Sequence, residues 1–264
     1  MQDNSGYGIS LLSIIPMRSD PAEEAEMVSQ LLFGEHYEIR NERDGFFEIK
    51  NRYDNYTGWI DRSMHNSLST DFYRHLESEK NQSVQTCLIM SIEQTGYPPM
   101  QILAGSTLPG LNPKKNTFEI DGIAFHIRWS FEKFTIRGFE SIYKTAGYFL
   151  NAPYLWGGRT TFGCDCSGFI QNLFKIHGIS LQRDADQQAE QGRLVPGVRE
   201  AKLGDVAFFS DDEGNVVHVG MVISPSEIIH SSGYVHIDRL DEKGIFNLRR
   251  QEYSHKLHSI RRMV

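Results

Sequence analysis

Cys164-Asp165-Cys166-Ser167-Gly168-Phe169-Ile170 is the stretch on which the fold of this chain turns. Upstream of it, Pro153-Tyr154-Leu155-Trp156-Gly157-Gly158 ends in a glycine turn that stops whatever precedes it. Downstream, Phe169, Ile170, Leu173, Phe174 and Ile176 fall on one side of a 3.6-residue repeat, and Gly178 stands where a helix cap belongs. The spacing predicts a helix with Cys166 in or just before its first turn. Unpaired N–H groups and the helix dipole favour an anion there, so Cys166 is expected to be a stabilised thiolate with a lowered pKa. A thiolate attacks carbonyls, which makes nucleophilic catalysis the leading chemistry.

A nucleophilic cysteine needs a base. Val216 to Ile223 is rich in β-branched residues and reads as a strand. Ser224-Pro225-Ser226 is a turn, and Glu227-Ile228-Ile229-His230 a second strand. In a hairpin centred near Pro225, even-numbered residues oppose even-numbered ones. His218 and His230 then share a sheet face as diagonal neighbours, about 7–8 Å apart at the backbone. One imidazole activates Cys166 while the other orients it. A metal alternative exists: Cys164, Cys166, His218 and His230 make a Cys2His2 set, but Cys-x-Cys is not the usual spacing of structural zinc. No metal and no cofactor are expected. Cys164 reads as packing beside the nucleophile, and Cys87 as a core residue elsewhere.

Five motifs, in order, carry a family resemblance: Tyr154-x-Trp156-Gly157-Gly158, Asp165-Cys166-Ser167-Gly168, Gly204-Asp205-Val206-Ala207-Phe208-Phe209, His218-Val219-Gly220-Met221-Val222 and Ile229-His230-Ser231-Ser232-Gly233. Together they resemble the NlpC/P60 family of papain-like cell-wall peptidases and span about half the chain. The resemblance implies Cys166 as nucleophile, His218 as base and His230 as the orienting third residue. It implies Tyr154 in an oxyanion hole with the Cys166 N–H, and Trp156 and Ser167 as substrate-binding residues. The implied fold is α+β, with a small antiparallel sheet packed on helices.

Composition narrows the rest. The 264 residues are 39% apolar and carry a formal net charge of −7. That charge argues against nucleic acid and against an anionic membrane surface, and no apolar run is long enough for a membrane-spanning helix. Met1-Gln2-Asp3-Asn4-Ser5-Gly6 is not an intact secretory signal. Three cysteines do not make a disulfide framework, and a free catalytic thiol suits a reducing compartment. A cytoplasmic monomer is expected.

Before about residue 138 the texture changes to short strands broken by turns. Residues 34–40, 45–50 and 58–60 read as three strands of a small barrel that resembles a bacterial SH3-like (SH3b) domain, residues 1–69. Residues 70–80, charged and with few apolar positions, read as a connecting helix or linker. Residues 87–90, 100–106 and 125–129 are strands of a divergent second SH3b-like unit, residues 81–137. From Gly138 a helix is expected, with Ile142, Ala146, Phe149 and Leu150 at helical spacing, opening a catalytic domain that runs to residue 264.

This layout resembles a subgroup of the family, the two-SH3b γ-D-glutamyl-L-diamino acid endopeptidases, in which the first SH3b domain closes one end of the cleft. The resemblance implies a murein stem peptide, L-Ala-γ-D-Glu-diamino acid with a free amine, as substrate, and muropeptide recycling as the role. It implies that Asp184 and Glu26 take the ammonium and that Tyr56 hydrogen-bonds near it. Arg183 is expected to pair with a carboxylate of the site or of the substrate. Hydrolysis of intact wall, a thiol amidase or acyltransferase on the same fold, and a non-catalytic murein-binding module are the alternatives.

Overall fold

The computed structural model describes residues 6–78, 83–131 and 141–264. The chain divides into two compact units, Met1–Thr135 and Ile136–Val264. Among the described residues no helix is long and apolar enough to cross a membrane.

The first unit opens with β1 (Tyr7–Ile9), β2 (Ile14–Arg18), β3 (Met27–Leu32), β4 (His36–Arg43), β5 (Phe46–Asn51), β6 (Thr57–Asp61) and β7 (Asn66–Ser67). They form one antiparallel sheet in the order β3-β2-β6-β5-β4-β1-β7. The three strands expected from sequence are β4, β5 and β6. Alternation along the strands sends one face inward: Ile15 and Met17, two apart, meet Leu31, Tyr37, Ile49 and Ile60 in one core.

The stretch read as a connecting helix or linker is helical as far as Ser78. In α1 (Thr70–Ser78), Tyr73 and Leu76 lie three residues apart on one face and are buried. Beyond it come β8 (Ser83–Val84), β9 (Ile89–Gln94), β10 (Met100–Leu103), β11 (Thr107–Leu108), β12 (Thr117–Ile120) and β13 (Ile123–Phe131). They make a four-stranded sheet, β10-β9-β13-β12, and a two-stranded ladder of β11 with β8. Ile9 from the first sheet, Phe33 from the turn after β3, α1, Cys87, and Ile92 and Phe125 from the second sheet share one apolar core. Phe33 meets Phe118 and Phe125 edge-on, with ring centroids 6.0 and 5.6 Å apart.

The second unit contains α2 (Ile142–Gly147), β14 (Arg159–Thr160), β15 (Gly163–Cys164), α3 (Cys166–Ile176), α4 (Ala185–Ala189) and β16 (Arg193–Val195). Ile142 and Ala146 lie in α2, Phe149 and Leu150 in the turn after it, and Gly138 outside the described residues. Then follow β17 (Val206–Ser210), β18 (Val216–Ser224), β19 (Glu227–Ser232), β20 (Tyr234–Asp241), β21 (Gly244–Asn247) and β22 (Glu252–Arg262). The sheet order is β16-β22-β17-β18-β19-β20-β21, and β21 also pairs with β22. The expected small sheet is therefore a closed six-stranded barrel with β16 attached. Closure follows from the length of β22, whose eleven residues pair with β17 along one edge and with β16 and β21 along the other. Ala207, Phe209, Val222, Ile228, Leu240 and Ile245 fill its core.

The Gly204-Asp205 motif gains a physical role at this closure. Asp205 accepts from the Lys202 N–H at 2.8 Å and takes two bonds of 2.6 Å from Arg262 Nε and Nη2, anchoring the end of β22. Every residue of α3 is buried, so the helix is enclosed on all sides. It packs against β14, β18 and β19, and Phe149 lies on Phe169 with centroids 5.0 Å apart.

Candidate active site

Asp165 is the N-cap of α3. Its Oδ1 accepts from the Gly168 N–H at 2.6 Å and its Oδ2 from the Gly157 N–H at 2.9 Å. Arg183 donates Nη1 to Oδ1 at 3.1 Å and Nη2 to Oδ2 at 2.5 Å, and its Nη1 also reaches Ser167 Oγ at 2.9 Å. Asp165 and Arg183 are 6% and 1% exposed, which makes this a buried bidentate ion pair. The carboxylate that meets Arg183 is therefore the one directly before the cysteine. Gly168 is required by space. A Cβ there would stand 2.1 Å from the Gly158 carbonyl oxygen and 2.9 Å from Asp165 Oδ1.

Cys166 opens α3 and is 8% exposed. The main-chain N–H groups of Val219 and Ser167 are near its sulfur and favour the thiolate. Val219 follows His218 directly, so the cysteine sits at the strand that holds the histidine. The lowered pKa expected from the helix start is not what this environment produces. Burial pushes the thiol up to about 12, the Asp165 carboxylate adds to the rise, and the two N–H groups oppose it. Cys164 is likewise pushed up to about 12 by burial, and its carbonyl accepts from Ser231 Oγ at 2.9 Å.

The hairpin register is the one read from sequence: Gly220 faces His230, Met221 faces Ile229 and Val222 faces Ile228. His218 and His230 consequently share a face. His218 Nε2 and His230 Nδ1 are 2.9 Å apart, and His230 Nε2 lies 3.3 Å from Asp238 Oδ2. Both rings are buried. Burial drives His218 well below its ordinary pKa, helped by repulsion from His255, His230 and His236. His230 is lowered by burial against the pull of Asp238.

Three members of this cluster, His255, Asp238 and His236, were not read from the sequence. His255, on β22, stacks on His218 with centroids 4.0 Å apart and planes 20° from parallel, and burial lowers it to about 4. Asp238, on β20, is 2% exposed. The hairpin rule that paired His218 with His230 would have found it if run one strand further. With the turn at Gly233, His230 faces His236 and Ile228 faces Asp238.

Tyr154 stands beside Cys166. Its hydroxyl pKa is raised, first by burial, then by the neighbouring Cys166 and Asp165. With His218, Gly233 and His255 it lines a cleft of about 330 Å³. Trp156 is 59% exposed. Ser167 is buried within the Asp165–Arg183 network, and Asp184 is half-buried at the N-cap of α4, where its N–H donates to Gln187 Oε1 at 3.3 Å. Tyr56 and Glu26 lie in the first unit. Tyr56 packs against the core of the first unit's own sheet, and Glu26 is exposed between β2 and β3.

Two groups among the described residues place three metal-ligating atoms close together: His218 with His230 and His255, and His230 with His236 and Asp238. Neither includes a cysteine. The Cys2His2 alternative has no counterpart among the described clusters.

Comparison with known proteins follows the same division of the chain. Residues 17–64 match the bacterial dipeptidyl-peptidase SH3 domain. The γ-D-glutamyl-L-lysine dipeptidyl-peptidase of Bacillus subtilis is 45% identical over 94 residues, which is 35% of this chain and 31% of that protein. The enzyme of the same name from Bacillus cereus is 40% identical over 35% of this chain and 28% of its own length. These matches span less than a third of those relatives. Dipeptidyl-peptidase 6 of Lysinibacillus sphaericus is 24% identical over 85% of this chain and 88% of that protein. In fold, the chain resembles the crystal structure of an NlpC/P60 family protein from Bacillus cereus, with a TM-score of 0.79 at 18% identity, covering 97% of this chain and 99% of that one. Residues 151–261 match the NlpC/P60 family.

Proposed function

We propose that this NlpC/P60 peptidase cleaves the γ-D-glutamyl–diamino acid bond of murein stem peptides whose N-terminal L-Ala is free. The observation behind it is Cys166 at the start of α3, near the main chain of Val219 that follows His218, with His218 linked to His230 and His230 to Asp238. The names of the relatives, and the length over which the Lysinibacillus enzyme aligns, support the bond.

In this mechanism the Cys166 proton passes to His218 as Sγ attacks the γ-glutamyl carbonyl. The thiol begins protonated and the imidazole neutral, as burial favours for both. The Cys166 N–H and Tyr154 hold the oxyanion. His218 returns the proton to the leaving amine as the C–N bond breaks. Water, deprotonated by His218, then splits the thioester and frees the thiol.

Asp184 is the carboxylate of the second unit proposed to receive the substrate ammonium. Tyr56 and Glu26 keep the roles that the resemblance assigns them, and residues 83–131 are read as a second SH3-like module, supported by their antiparallel sheet. The unbridged thiols of Cys87, Cys164 and Cys166 suit a cytoplasmic role in recycling released peptides.

Mass spectrometry of L-Ala-γ-D-Glu-meso-diaminopimelate, its N-acetylated form and intact peptidoglycan tests the proposal. Release of the dipeptide L-Ala-D-Glu from the free-amine peptide alone is expected. Blocking the amine removes the cation that the half-buried Asp184 carboxylate would pair with, so cleavage of the acetylated peptide is expected to fall. Equal cleavage of free and acetylated peptide would remove the amine requirement. A different product would indicate an amidase or acyltransferase, and binding without turnover would leave a recognition module.

A further inference from the structure

We infer that Asp238 is a positioning residue that fixes the tautomer of His218 through His230. The inference rests on the proposed chemistry of Cys166 and His218 and extends it to a residue outside that pair and outside the five sequence motifs.

The hydrogen bonds allow one consistent assignment. Asp238 Oδ1 accepts from the Leu248 N–H at 3.0 Å, and Oδ2 accepts from Asn247 Nδ2 at 3.0 Å. His230 Nε2 and His236 Nε2 lie 3.3 and 3.1 Å from the same Oδ2. An ionised carboxylate only accepts. These bonds hold Asp238 below the ordinary carboxylate range although burial pushes it up. His230 Nε2 must then carry a proton, and in neutral His230 Nδ1 is bare. A bare Nδ1 across 2.9 Å takes a proton-bearing Nε2 from His218. His218 is left with a bare Nδ1, the lone pair that accepts the Cys166 proton.

The relay serves both halves of the reaction. Once His218 is protonated at Nδ1, its Nε2–H still donates to His230, and the Asp238 charge is aligned to stabilise the imidazolium. The titratable groups facing Asp238 are His230 from β19, His236 from its own strand and His255 from β22. His236 faces acceptors at both nitrogens, the Tyr234 carbonyl at 2.8 Å from Nδ1 and Asp238 Oδ2 at 3.1 Å from Nε2, so it donates to both only in its doubly protonated form.

Asp238→Asn keeps the size and removes the charge. An amide nitrogen at the Oδ1 position confronts the Leu248 N–H, and at the Oδ2 position it confronts Asn247 Nδ2 and the His230 N–H, so either placement strains the relay. The expected result is a fall in kcat of about a hundredfold with KM within about threefold. Two further measurements do not depend on knowing the substrate. Alkylation of Cys166 by iodoacetamide at pH 7 should slow at least about tenfold in His218→Ala and in Asp238→Asn, with no further slowing in the double variant. In the unmodified chain, imidazole 15N–1H spectra should show His218 protonated at Nε2 and bare at Nδ1, a readout that survives if Asp238→Asn fails to fold.

The outcomes separate. Unchanged alkylation in His218→Ala would overturn the Cys166–His218 pair itself. Slowed alkylation in His218→Ala but not in a folded Asp238→Asn, or a His218 ring protonated at Nδ1, would overturn the role of Asp238 and leave the pair intact.

Discussion

Asp165 and His218 are both buried polar groups of the second unit, yet they are stabilised in opposite ways. On the α3 side, Asp165 is paired with Arg183 and accepts main-chain N–H bonds on both oxygens. On the barrel side, His218, His230 and His255 are stripped of water and driven toward their neutral forms. The ionic side spends its hydrogen bonds on geometry: it fixes the first turn of α3 and the loop at Gly157 against each other. The histidine side keeps a proton acceptor uncharged until it is needed. Charge is used where nothing should move, and neutrality where a proton should.

The largest expected effect separates the two cysteines that bracket Asp165. Cys166→Ser should lower kcat/KM at least about a thousandfold, because a buried serine hydroxyl is a far weaker nucleophile, while Cys164→Ser stays within about threefold of the parent. Comparable losses in steady-state assays would erase the distinction.

Arg183→Met attacks the ionic side. It leaves Asp165 buried without its cation and should cost on the order of 3–5 kcal/mol in urea unfolding. A loss under about 1 kcal/mol would show that the pair is no more than a surface contact in its energetics. Gly168→Ala strikes the same turn sterically. The close approach of the Gly158 carbonyl predicts a smaller loss, about 1–3 kcal/mol, measured in the same titration.

The smallest effect comes from the histidine side. His218, His230 and His255 have folded pKa values below their unfolded value near 6.5, so the unfolded chain binds more protons as pH falls below that value. Stability is then fully present above about 6.5 and lost as pH drops toward 4, the value to which His255 is lowered. Thermal melts should show Tm falling by a few degrees across that window. His255→Phe, which keeps a ring on His218, should flatten the slope; an unchanged slope would remove His255 from the titrating set.

What the sequence revealed follows the reach of each signal. The α3 start was legible because a glycine turn, a 3.6-residue repeat and a capping glycine are all local. The His218–His230 pairing was legible because a two-strand hairpin transmits register through its turn. Asp238 and His255 were not read. Asp238 requires a second hairpin beyond the first, and His255 reaches His218 only when β22 returns to close the barrel. A carboxylate partner for Arg183 was expected, but not which one, since 18 residues separate it from Asp165. Burial was missed as well: helix position alone predicted an acidic thiol, and desolvation reverses that direction. In the first unit, strand spacing located β4 to β6; the stretch read as a connecting helix or linker forms α1, and Tyr73 and Leu76 seat it in a core that the few apolar positions did not announce.

Barrel closure by β22 also sets an order of events during synthesis. The nucleophile on α3 and the hairpin with His218 and His230 emerge from the ribosome well before Glu252–Arg262. Until that strand arrives, β17 and β21 have open edges, and the stacking partner of His218 is missing. The nascent chain therefore holds a cysteine and two histidines in an unfinished frame. Its chemistry waits on a strand that pairs β17 with residues some fifty positions later, which ties the onset of activity to completion of the fold.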